Sequence, residues 1–176
     1  MAEQQESDEA RALARLQEHG AAIVAGVTER LAPYLVDRAT RVLDVWGRLD
    51  ASQRERVDAD LRAAADAASS RAVAELRVLF GRDPAAQSAT PLEIVRGSRR
   101  EPTKVLADAG VAAVRRDAFE ERAWPDDRYA LVPRSFADLY AEGEDDELGP
   151  ALLAWGLAKA AALRARSGVN RRGRPQ

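Results

Sequence analysis

His19 is the only histidine in the chain and cysteine is absent, so the side chains that most often supply nucleophiles, neutral-pH bases and soft metal ligands are almost missing. His19 lies between Glu18 and Gly20 on a charged stretch and reads as a surface helix residue, because a general base needs a positioned partner that the spacing does not supply. Carboxylates are plentiful. Asp117 with Glu121, or Asp126 with Asp127, could form an acid–base pair given a pocket and shifted pKa values, but any pair drawn from 29 acidic residues is a weak signal. The run Glu144, Asp145, Asp146, Glu147 lacks the alternating ligands and central glycine of a calcium loop and reads as a solvated turn. No phosphate-binding glycine loop, dinucleotide fingerprint or nucleophile elbow is present. The expectation is therefore no catalytic residue, no metal and no cofactor, with an enzyme built on the central carboxylates kept as the least favoured reading.

Positive charge is the next candidate. The 27 basic residues face 29 acidic ones, for a net charge of -2, which does not suit a protein whose whole surface tracks phosphate. All but two of the basic residues, Lys104 and Lys159, are arginine, a bias that GC-rich coding produces without any phosphate recognition. Near the end, however, Arg164, Arg166, Arg171, Arg172 and Arg174 gather without acidic neighbours. They give one functional alternative, a nucleic-acid-associated protein that uses a basic tail by charge alone. No aromatic residue is interleaved with them for base stacking.

The segment from Arg115 to Tyr140 stands apart from its alanine-rich surroundings. Five of the nine aromatic residues fall there: Phe119, Trp124, Tyr129, Phe136 and Tyr140. Large rings in a proline-containing, non-helical segment either pin that segment to a core or present anchors to a partner, since they bring much apolar area with little rotamer entropy to lose. Arginines alternate with acids through the same stretch, so intramolecular ion pairs can lock it, and the balanced signs argue against a nucleic-acid stripe. The leading functional expectation is a non-catalytic interaction or regulatory protein. Its contact surface lies around residues 117–140, with Phe119, Arg122, Trp124, Tyr129 and Phe136 as candidate partner-binding residues.

The elements that must carry these residues are helical. Alanine and arginine are strong helix formers and β-branched residues are sparse. Leu13, Leu16, Ile23, Val24, Val27 and Leu31 share one stripe, and Leu35, Val36, Ala39, Val42, Leu43, Trp46 and Leu49 continue it after Pro33, either as a second helix or as one rod kinked at the proline. Asp50 with Gln53, or Ser52 with Glu55, offers a capping box for a helix that runs to Gly81 along Val57, Leu61, Ala64, Ala68, Ala72, Leu76 and Leu79. Thr90, Pro91 and Glu93 form a clear helix start, Pro102 opens a second short helix that ends at Gly110, and Pro150 opens a closing helix to about Arg166.

At TPLEIVRGSRREPTKVLADAGV, residues 90–111, and RDAFEERAWPDDRYALVP, residues 116–133, the chain resembles a group of small proteins from high-GC actinobacteria that have no assigned activity. The resemblance spans roughly the second half and implies no substrate, cofactor or site. The expected architecture is all-α. Residues 1–166 form a single helical domain, made of a hairpin over 7–81 and then short helices, an irregular aromatic wrap and a packing helix over 90–166. A disordered basic tail follows over 167–176. The acidic start and short apolar runs predict neither an export signal nor a membrane span, and a cysteine-free chain suits the cytoplasm. Alanine stripes that can bury against a second copy leave a homodimer open.

Overall fold

The computed structural model describes residues 2–111 and 148–172, and every regular element among them is helical. Five α-helices appear in chain order: α1 Ala2–Trp46, α2 Ala51–Phe80, α3 Pro91–Gly97, α4 Arg100–Asp108 and α5 Leu148–Arg172, with one 3-10 turn at Pro84–Ala86. The all-α expectation holds. The acidic run 142–147 and the aromatic segment lie outside the described residues.

α1 is continuous through Pro33 and, at 1.5 Å per residue, about 68 Å long. Proline removes one backbone donor and crowds the preceding turn, but Pro33 is on the exposed side, where water can reach the freed carbonyl. The stripe opposite is fully buried, with Ile23, Val27, Leu31, Leu35, Ala39, Val42 and Leu43 each at most 1% exposed. These residues recur every three or four positions and hold the rod together across the proline.

The turn to α2 is fixed by local chemistry. The Gln53 backbone N–H donates to Asp50 Oδ1 at 2.8 Å, and the Asp50 N–H donates to Gln53 Oε1 at 3.0 Å. Of the two candidate boxes the structure uses this one, and the Ser52 hydroxyl donates to Asp50 Oδ1 as well. Arg54 then spans the turn, with Asp44 of α1 at 2.8 Å and Asp58 of α2 at 3.0 Å. α2 therefore returns antiparallel to α1, burying Leu61, Ala65, Ala68, Ala72, Val73, Leu76 and Leu79. Gln87 Nε2 donates to the Leu79 carbonyl and helps to close its end.

α3 opens with the Thr90–Glu93 capping box and a proline in its first turn, as the sequence predicts. α4 begins at Arg100, two residues ahead of the expected Pro102. Pro102 occupies its third position, where a first-turn N–H needs no helical partner and proline is harmless. Its stop is at Gly110, whose φ of 81° is open to glycine at little cost. α5 runs antiparallel to the first half of α1, with Arg166 against Glu9 and the Ala154–Ala158 stretch near Arg15 and His19.

The closing helix continues to Arg172, so residues 167–172 are helical where a disordered tail was expected. Arg166, bound to Glu9 of α1 and to Asp83 beside the 3-10 turn, anchors the helix near its expected end, and the Ser167 hydroxyl donates to the Leu163 carbonyl. With the preceding turn held in place, adding residues costs no new nucleation.

Two apolar clusters result. The larger joins α1, α2, α3 and α5 through residues such as Leu31, Leu35, Leu76, Val95 and Trp155. The smaller joins the end of α1 to the start of α2 and to α4 through Val42, Leu43, Leu61, Leu106 and Val111.

Candidate interaction surface

Polar side chains in this frame are engaged mainly in shaping it. Asp50, Asp83 and Glu93 are each held below the ordinary carboxylate range, first by a backbone N–H donated to the carboxylate, from Gln53, Ala85 and Thr90 respectively. Such groups are stabilised as anions and serve as helix caps, the opposite of what a proton donor needs. Among the described residues no cluster of three His, Cys, Asp or Glu side chains could hold a metal ion.

Of the basic residues proposed for phosphate contact, Arg166 is engaged in two ion pairs within the fold. Arg166 Nε lies 2.6 Å from Glu9 and its Nη1 2.5 Å from Asp83, and these contacts, Glu9 first, raise its pKa above the ordinary arginine value. Arg164 is exposed on α5. Arg171 and Arg172 are on the last turn of that helix, and Arg174 lies outside the described residues.

Phe119, Arg122, Trp124, Tyr129 and Phe136 also fall outside the described residues, as do the carboxylates Asp117, Glu121, Asp126 and Asp127. Val111 is 3% exposed in the smaller cluster, its N–H donating to the Leu106 carbonyl, and the chain is taken up again at Leu148 where α5 starts.

What the sequence did not reveal is the surface along α1. Phe80, at the end of α2, meets Trp155 of α5 edge-on, with centroids 5.5 Å apart and planes at 63°. Lys159 Nζ sits 5.3 Å from the Trp155 ring centre. A Cβ added at Gly20 would come within 3.0 Å of the Phe80 ring, so the glycine that weakens α1 by propensity is where α1 makes room for that ring. The outer side of Phe80 lines an open groove between α1 and α2, about 730 Å³, with Val24, Ala25, Thr28, Glu29 and Arg77. A second, strongly apolar groove of about 420 Å³ runs between α1 and α5. His19 is part of its wall and is half-buried.

Among the described residues no helix is long and apolar enough to cross a membrane. No family model, no curated protein and no solved structure matches the chain.

Proposed function

We propose that the chain is a non-catalytic protein-interaction or regulatory protein of the cytoplasm, with its contact surface around residues 117–140. Phe119, Arg122, Trp124, Tyr129 and Phe136 are its anchors. The observation that carries this reading is the concentration of five of nine aromatic residues between Arg115 and Tyr140, a composition that matches the centres of protein interfaces. The frame supports it in one respect: the carboxylates it perturbs serve as helix caps, and Arg54 and Arg166 are committed to ion pairs. The likeness of residues 90–133 to small actinobacterial proteins brings no activity to transfer.

The nucleic-acid alternative has less behind it, since Arg166 already faces two carboxylates. Capture of crosslinked partners from the native cytoplasm, with the full chain and with Trp124→Ala and Tyr129→Ala, tests the proposal. A partner retained by the unaltered chain and lost by variants of unchanged helicity is the expected result. Recovery of the same proteins by all three chains refutes it. So does collapse of the fold on either substitution, which would place the rings in the core.

A further inference from the structure

The groove between α1 and α5 sets an apolar floor beside a row of basic side chains. Its floor is Ala154, Leu157, Ala158 and Ala161 of α5, at the three- and four-residue spacing of one helix face. Leu157 is 62% exposed, the most exposed of the large apolar side chains described. The α1 wall carries Arg11, Arg15 and His19, every fourth residue along one ridge, the two arginines exposed and the histidine half-buried. Asp8, one turn before Arg11, pairs with it at 3.3 Å, but both side chains are 65% exposed and the pair is weakly held. Among the described residues Arg15 and His19 have no ion pair or side-chain hydrogen bond. On α5 the same face continues to Arg164, about two turns past Leu157 and also exposed.

We propose that this groove is a docking site for an acidic amphipathic helix of a partner protein, a contact separate from the aromatic surface around residues 117–140. An exposed apolar strip flanked by cations is matched by a helix whose apolar side covers Leu157 and the alanines and whose flank carries Glu or Asp. The repeat distances agree. Residues four apart on an α-helix are about 6 Å apart along its axis, so acids at that spacing on a helix running beside α1 meet Arg11, Arg15 and His19 in turn. The row from Arg11 to His19 is about 12 Å long, which about three turns of partner helix cover. Each arginine can hold a carboxylate through two parallel N–H donors, and the imidazole of His19 can donate one more. A phosphate backbone would meet the same cations but has no apolar face to set on the floor, and it would leave Leu157 in water.

Selection on the full chain tests this, from a displayed library of helical peptides of about 14 residues with a fixed leucine seam and flanks randomised among Glu, Gln and Lys. The enriched peptides are expected to carry acids at four-residue spacing on one flank, and their affinity to fall roughly tenfold between about 50 and about 300 mM salt. Against one such peptide, Arg15→Glu should weaken binding roughly tenfold and Leu157→Glu should abolish it, both with an unchanged helical spectrum. A peptide with lysine in place of the facing acid should recover most of the loss on Arg15→Glu. Enrichment without an acidic bias overturns the proposal. So does a selected peptide whose affinity survives both substitutions, or a loss on Arg15→Glu that no lysine peptide restores. A Leu157→Glu chain that loses helicity would place the leucine in the core and overturn it as well. Sedimentation that shows a dimer dissolved by Leu157→Glu would assign the groove to a second copy instead, and binding to phosphatidylglycerol vesicles without any peptide binding would assign it to a membrane surface.

Discussion

The contact between Gly20 and Phe80 yields a prediction whose sign depends on the neighbour. In an exposed helix interior, glycine to alanine stabilises by about 1 kcal/mol, because alanine loses less backbone entropy on folding. At Gly20 the new methyl carbon would sit 3.0 to 3.3 Å from three ring carbons of Phe80. The ring is held in turn by its edge contact with Trp155, which is only 5% exposed and cannot retreat without disturbing the core. Overpacking of this kind costs about 1–3 kcal/mol, so Gly20→Ala in the unaltered chain should be neutral to destabilising by about 2 kcal/mol. Phe80→Ala should cost about 3 kcal/mol. That combines the transfer of a half-buried ring, below the full 3–5 kcal/mol, with about 1 kcal/mol from the aromatic pair. In the Phe80→Ala background the obstacle is gone, and Gly20→Ala should recover its full gain of about 1 kcal/mol. A double-mutant cycle from urea unfolding, followed by circular dichroism, should therefore give a coupling of at least about 1 kcal/mol. If Gly20→Ala has the same effect in both backgrounds, within about 0.3 kcal/mol, the ring does not occupy the space assigned to it.

Leu106 is fully buried in the smaller cluster, and Leu106→Ala should cost about 3 kcal/mol, with amide exchange accelerating most in α4. Unchanged exchange in α4 would show that this leucine does not hold the helix. Asp50, Asp83 and Glu93 have folded pKa values below their unfolded ones, so their contribution is fully present above the ordinary carboxylate range and is lost as pH falls through the folded values. Stability should accordingly drop below about pH 4, and Asp50→Asn, which can still cap but cannot titrate there, should flatten that limb; an identical acid limb in the variant would contradict the assignment. Arg166→Ala should raise the amide exchange of residues 167–172 while leaving α2 protected, and equal protection in both chains would mean that the end of α5 does not depend on Glu9 and Asp83.

Helix starts were the most legible features of this chain because their causes are local. Thr90, Pro91 and Glu93 act within four residues, and Asp50 with Gln53 does the same, so the sequence alone locates both. The buried stripe of α1 was equally clear, since apolar spacing is set by the helix itself. On α2 the alanine-rich middle blurs the same signal: Ala65 faces the core and Ala64 only partly, and side chains of equal size give the pattern no contrast. The end of α5 depends on Glu9 and Asp83, which are 157 and 83 residues away from Arg166, so no local rule extends the helix past Ser167. Gly20 illustrates the same limit, because read locally it weakens a helix and read with Phe80 it makes room for a ring. The aromatic anchors from Phe119 to Phe136 and the carboxylates beside them lie outside the described residues, and their reading rests on composition.

The two grooves along α1 should respond to separate perturbations, for a reason that helical geometry supplies. At 100° per residue, Ala12 in the α5 groove and Ala21 in the α2 groove are nine residues apart and so about 180° apart around the rod. The buried stripe with Ile23 and Val27 lies between them. Leu157→Glu should leave the unfolding free energy within about 0.5 kcal/mol of the unaltered chain, because a side chain that is 62% exposed contributes little to the core, whereas Phe80→Ala, which removes the ring set against Trp155, should cost several times as much. If Leu157→Glu destabilised the chain as strongly as Phe80→Ala does, the leucine would belong to the core and not to the surface.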